Sequence, residues 1–305
     1  MASVQMVDRK TLENVLQMQA CDSTSYFTIV IPQCFLAIDQ MYSPRRHLLR
    51  QTYCAAVAAA LLPLGSVALA VPTLRTLTPG VLRIGTYFTN PPFEYVSEGE
   101  KVGFEVDLMS EVASRLELQP QFVDTRWEVI MEEMAERRFD CIVGGITITP
   151  GRRRLLAWSA PFMTTTLSLI IDAARSPGMT GFADLKGRTI GVQAATTDDT
   201  TAVAMRRAGK IGNVRVYQFS QLTEAIADLR AGRIAAVMKV SPAASWFVRK
   251  TPGLRILGQI PDDPQPLGIG FNRANSPLVN ALDGVLAKMQ RDGGYATIAK
   301  HWRVS

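Results

Sequence analysis

From Thr78 to the C-terminus, short apolar runs alternate with segments of helical spacing. The runs Val81–Gly85, Gln121–Val123 and Cys141–Gly144 read as strands, because short, mainly apolar runs bounded by glycine or charge suit a buried strand. Between and after them, Asp107–Leu116 and Glu128–Arg137 carry apolar positions three and four apart, the spacing of one helix face, and Arg152–Ala157 is a further candidate helix. The pattern then repeats: a strand over Thr189–Val192, a helix from about Thr200, a strand over Val214–Tyr217, a helix over Leu222–Arg230 and a strand over Ile234–Met238. Strand–helix alternation of this kind implies a mostly parallel sheet with helices on both faces. Two such series imply two α/β lobes, and Leu167–Asp172 and Leu267–Phe271 read as the segments that connect them. Ligands of such sheets bind beyond the carboxyl ends of the strands, which here is a cleft between the lobes.

The stretch from Phe139 to Phe162, FDCIVGGITITPGRRRLLAWSAPF, is the most specific part of the chain. Its strand ends in Gly144 and Gly145, small residues that let a ligand approach the backbone. Thr149-Pro150 then reads as a helix start, a hydroxyl N-cap followed by proline at the first helical position. Free N–H groups and the positive end of a helix dipole lie there, and Arg152 falls in the first turn. A planar guanidinium suits two-point contact with a carboxylate. The competing reading is an ordinary strand–turn–helix with a solvated triple arginine.

GITITPGRR resembles the signature of family 3 solute-binding proteins, the periplasmic receptors of polar amino acid transporters. Val81–Gly85 with PPFEY (Pro91–Tyr95) looks like the first strand and turn of that family, and KVGFEVDL (Lys101–Leu108) is similar to its first helix entry. WSAPF (Trp158–Phe162) and DLKGRTIGVQ (Asp184–Gln193) also match, in order, and the resemblance runs from about Thr78 to Trp302. It implies a periplasmic binding protein type II fold: lobe one over 78–171 plus 266–305, lobe two over 172–265. It implies that Arg152 grips a ligand carboxylate, that Gly145 and Thr147 contribute a carbonyl and a hydroxyl or N–H, and that Trp127 forms an aromatic wall. Tyr87 or Phe88 stands in for an aromatic that the family often places at Asn90. In lobe two, Gln193 and Thr197 of the loop QAATTDDTT (Gln193–Thr201) fall at ligand-binding positions.

Lobe two departs from that pattern. The family usually ends a strand with an aspartate for the ligand ammonium; here that position is Val240, preceded by Lys239. A valine offers an ammonium nothing, and burying an unpaired charge costs several kcal/mol. Asp198 and Asp199 either stabilise a helix start or replace the missing acid. The same loop carries the catalytic glutamate of periplasmic cyclohexadienyl dehydratases, which resemble these receptors, and Asp199 falls at that position. A carboxylate there could act as general acid on a leaving hydroxyl. Two functions are therefore carried forward: a receptor of an ABC transporter that captures a small carboxylate, and a prephenate or arogenate dehydratase.

Composition narrows the surroundings. The chain has 305 residues, too long for one typical domain, and 47% apolar residues. Its charge of +6 is spread out, with no aromatic-interleaved basic stripe, so nucleic acid is not an expected partner. Arg45, Arg46 and Arg50 precede an apolar run from Cys54 to Ala70 that ends in Ala68-Leu69-Ala70, the pattern of a cleaved signal peptide. Residues 41–70 are read as that signal and residues 1–40 as a leader extension or non-native start. Cleavage after Ala70 removes Cys21, Cys34 and Cys54 and leaves Cys141 as a buried small hydrophobe. His47 and His301 stand in no ligand-spaced group, so no metal and no cofactor is expected. The expected partners are a small carboxylate and a membrane permease, and the expected state is a periplasmic monomer.

Overall fold

The computed structural model describes residues 74–304. The proposed leader, its cleavage site and Cys21, Cys34 and Cys54 lie outside those residues. The described residues form one compact unit.

Two five-stranded sheets carry the fold. The first has β5 (Gln119–Asp124), β1 (Val81–Thr86), β6 (Cys141–Ile142), β15 (Gly270–Phe271) and β7 (Ala157–Trp158), in that order. Its β5, β1 and β6 run parallel, and β15 returns antiparallel. The second has β11 (Asn213–Tyr217), β10 (Thr189–Gln193), β12 (Ala236–Val240), β9 (Leu167–Asp172) and β13 (Leu254–Gln259). Central strands are covered on both faces, so they are mostly apolar: all five residues of β12 and all six of β9 are buried, Lys239, Ser168 and Asp172 being the polar exceptions. A three-stranded ribbon of β2 (Thr89–Asn90), β3 (Glu94–Ser97) and β4 (Glu100–Val102) leads into helix α1 (Phe104–Arg115).

Helices α2 (Ile130–Ala135) and α3 (Pro150–Leu155) belong to the first series, and α4 (Thr197–Arg207), α5 (Leu222–Arg230) and α6 (Ser241–Lys250) to the second. The C-terminal α7 (Ser276–Asp292) ends at Gly293, whose positive φ of 83° closes the helix, and α8 (Gly294–Trp302) packs back on α1. Among the described residues, no helix is long and apolar enough to cross a membrane.

Two sequence expectations change here. Leu167–Asp172 is not a connection but β9, a central strand of the second sheet antiparallel to β12 and β13. An apolar run reveals that a segment is buried, not which sheet receives it. Likewise Gly270–Phe271 is β15, inside the first sheet. The true crossovers are β8 (Met163–Thr165) and β14 (Gln265–Leu267), which pair antiparallel as a two-stranded link between the sheets. A smaller shift matters for the site: the strand expected at Ile234–Met238 spans Ala236–Val240, which places Lys239 inside it.

Candidate functional site

The site is built where the carboxyl ends of β6 and β10 face each other. After β6 the chain turns through Gly144 (φ 155°) and Gly145 (φ 61°). Glycine is required twice over. A Cβ on Gly144 would lie 2.5 Å from the Tyr87 ring, and one on Gly145 3.0 Å from Phe93. The Tyr87 hydroxyl and the Asn90 amide both donate to the Gly144 carbonyl, the latter at 3.2 Å. Behind the turn, both oxygens of Glu105 accept from the Gly145 N–H at 3.0 Å. Gly145 thus has its N–H committed inward, and only its carbonyl remains for a ligand.

Glu105 is fully buried and lies beside the equally buried Glu94. Burial raises the Glu105 carboxyl to about 7 despite its backbone bonds, and raises Glu94 well above the carboxylate range, with repulsion from Glu105 adding to it. Neither Glu94 oxygen meets a donor group. Two adjacent buried carboxyls with no donor between them escape mutual repulsion only if one keeps its proton.

Thr147 follows the turn. Ile148 N donates to Pro266 O at 2.7 Å and Gly268 N to Ile146 O at 3.1 Å, flanking an antiparallel bridge between Thr147 and Leu267. In such a bridge the N–H and C=O of Thr147 itself turn to the opposite side. That side is occupied by Arg152, whose Nη1 donates to the Thr147 carbonyl at 2.8 Å. The Thr147 hydroxyl donates instead to Gln265 Oε1 at 3.1 Å, on β14. Thr149 caps α3 by accepting from the Arg152 N–H at 3.2 Å. The Arg152 guanidinium sits 4.9 Å from the Trp127 ring centre, half-buried, while Arg153 and Arg154 are exposed. Burial lowers its pKa.

The facing wall comes from the second sheet. β10 ends at Gln193, and Thr196 caps α4 by accepting from the Asp199 N–H at 3.3 Å. Asp198 is 2% exposed, and its Oδ2 has no hydrogen-bond partner. Burial raises its pKa, opposed by Lys239 and Arg152. Lys239 is 3% exposed. Its Nζ lies 2.5 Å from Gln193 Oε1, 3.7 Å from Asp198 Oδ2 and 5.3 Å from the centre of the Phe219 ring. The Gln193 amide donates in turn to the Phe219 carbonyl. Val240 is buried in the apolar core at the strand end.

The two walls touch. The Trp127 indole donates to the Ala194 carbonyl at 3.0 Å, and Arg152 Nη2 to the Ala195 carbonyl at 3.2 Å. Tyr87, Trp127 and Phe219 form an aromatic trio with centroids 4.7 to 5.7 Å apart. The structure therefore gathers Gly145, Thr147, Arg152, Trp127, Tyr87, Gln193 and Lys239 around one cleft. It also adds Asp198 and Phe219. Thr197 is the half-buried first residue of α4 and enters none of these contacts. Asp199 does not join: it lines a shallow groove with Thr200, Val203, Ala204 and Arg207. Adjacent helix positions diverge by about 100°, so of two neighbouring acids only one can face the cleft. Phe219 has no motif. Its one signal in the sequence was an aromatic just beyond the carboxyl end of a predicted strand, where cleft residues gather. Among the described residues no group of three metal-ligating side chains occurs.

The sequence profile of the bacterial extracellular solute-binding proteins, family 3, matches residues 82–305. The chain belongs to that family. The arginine-binding protein 1 of an Escherichia coli ABC transporter is 26% identical over 226 residues, covering 72% of this chain and 90% of that protein. The histidine-binding periplasmic protein of Salmonella typhimurium is 28% identical, covering 73% and 88%. Among solved structures, an ancestral arginine-binding protein bound to arginine superposes with a TM-score of 0.67 at 28% identity, covering 75% of this chain and 99% of its own. An ancestral amino acid-binding protein described as a precursor of cyclohexadienyl dehydratase gives 0.65 at 26%, covering 73% and 95%. Two sheet-containing lobes with a cleft between them are thus the family architecture as well as this chain's. The named relatives are binding proteins rather than enzymes.

Proposed function

We propose that this protein is the periplasmic receptor of an ABC transporter, capturing a small carboxylate, an amino acid or related organic acid, by closure of two lobes. The observation that carries this is Arg152. It stands in the first turn of α3, beside the Thr147 backbone and over the Trp127 ring, and it reaches across to the Ala195 carbonyl. A guanidinium there can take a carboxylate in two-point contact on lobe one while lobe two closes over it. We place lobe one at about 78–162 plus 268–304 and lobe two at about 167–260, with β8 and β14 as the hinge. Ligand contacts made only when the lobes meet would drive the closure, and the permease would recognise the closed form. Export would follow from the signal at residues 41–70, leaving a mature chain that begins near Val71.

The dehydratase reading assigned its acid to Asp199. That residue lies away from Arg152, so the reading is weaker here than in the sequence. Incubation with prephenate should therefore give no phenylpyruvate.

Calorimetry on three variants of the exported protein tests the receptor. Arg152→Ala should lose roughly 2–5 kcal/mol of ligand binding while its thermal melt stays cooperative. Arg153→Ala and Arg154→Ala should bind nearly as the parent does. Equal losses in all three would mean a diffuse basic patch and no specific carboxylate site.

A further inference from the structure

We propose that Lys239 is a built-in occupant of the cation position on lobe two, so that the cleft selects small carboxylates lacking an α-ammonium group. The inference rests on the receptor reading and narrows its ligand class. An ammonium has three donors and no acceptor, and wants acceptors or ring faces around it. The Lys239 ammonium already has all three kinds of partner: the amide oxygen of Gln193 at 2.5 Å, the carboxylate of Asp198 at 3.7 Å and the ring face of Phe219 at 5.3 Å. These groups are the ones an incoming ammonium would need.

No second ionised acid is on offer on lobe two, and the buried Glu94 across the cleft, which Lys239 reaches electrostatically, is held well above the carboxylate range. Val240, at the strand end, is packed in the apolar core, and Asp199 lines the outer groove. Asp198 has one unpartnered buried oxygen, but it lies within 4 Å of Lys239. A ligand ammonium placed on it would face a like charge at close range in a poorly hydrated site. The charge count agrees. Arg152 and Lys239 supply two cations and Asp198 one anion; with Glu94 and Glu105 behind the glycine turn holding their protons, as they do at mildly acidic pH, the cleft carries one net positive charge. A monocarboxylate without an amine neutralises it, and a zwitterion leaves it unchanged. Ligands with cationic side chains would raise it further.

The test uses matched pairs differing only at the α-carbon: leucine with 4-methyl-2-oxopentanoate, phenylalanine with phenylpyruvate and glutamate with 2-oxoglutarate. Thermal shift and calorimetry on the mature protein should favour each keto acid that binds at least tenfold over its amino acid. In Lys239→Met, which frees Asp198, that preference should shrink at least tenfold. Lys239→Arg should retain it. An amino acid binding the parent as tightly as its keto partner would overturn the proposal and leave the receptor standing. So would an unchanged ratio in Lys239→Met. Should Lys239→Met fail to fold, Asp198→Asn carries the test: the keto-over-amino ratio should rise, and a fall or no change refutes the idea. If no member of any pair binds the parent and Lys239→Met gains none, the receptor reading and the proposal fall together. Gain of amino acid binding by Lys239→Met alone supports the proposal.

Discussion

Glu94 and Glu105 lie fully buried behind the glycine turn that shapes the site. Their effect on stability has a definite sign. Glu105 titrates near 7 in the folded protein against an ordinary 4.5, with burial the main cause, and Glu94 is raised as well. The folded state therefore holds its protons through a window where the unfolded chain has lost them. The contribution of this pair to stability is greatest below about pH 4.5 and is lost as pH rises through the folded values, on the order of a few kcal/mol. Urea melts between pH 5 and pH 8 should show this decline. Glu94→Gln removes one charge of the pair and should flatten the profile. Parallel profiles for parent and variant would exclude the pair as its source.

At the scale of elements, α3 is only six residues long and has no buried residue of its own. Its geometry depends on its cap rather than on packing. Thr149 Oγ1 accepts from the N–H of Arg152 itself, so one hydroxyl fixes both the helix start and the arginine that the site depends on. Thr149→Ala should cost about 0.5–2 kcal/mol of stability. It should also weaken ligand binding several-fold, while Thr149→Ser restores both. Calorimetry beside thermal melts separates the two effects. A stability loss without any change in affinity would show that Arg152 is positioned by Thr147 alone.

For the whole molecule, the lobes are joined by the paired strands β8 and β14 and meet through few groups. Trp127 donates to Ala194 across the cleft, and Trp246 on α6 packs edge-on against Tyr95 of β3, 5.7 Å between centroids. Both tryptophans change surroundings when the lobes part, whereas Trp158 lies within the first sheet. A ligand titration should therefore change tryptophan emission. The double variant Trp127→Phe, Trp246→Phe should lose that change, and Trp158→Phe should keep it. Loss of the signal in Trp158→Phe would place the motion inside lobe one instead of between lobes.

Local chemistry was legible from the chain alone. The Thr149-Pro150 start, the Gly144-Gly145 turn, the strands at Val81 and Thr189 and the helix Leu222–Arg230 all follow from rules that act within a few residues: a hydroxyl cap, a fixed proline φ, apolar spacing. The two-lobe α/β class followed from their order, and Arg152 followed from its place in one short motif. What needed the tertiary structure was everything set by partners distant in sequence. An apolar run such as Leu167–Asp172 is equally suited to a link or a central strand, and only its pairing with β12 and β13 decides. Asp198 and Asp199 are neighbours of identical chemistry, and the rotation of α4 on its sheet alone turns one toward Lys239. Phe219 enters the cleft because two walls from opposite halves of the chain meet there. Glu105 meets the glycine turn because α1 is laid across the end of β6, forty residues further along the chain. Spacing along a chain fixes which side chains share a face, but the approach of one face to another is fixed by packing.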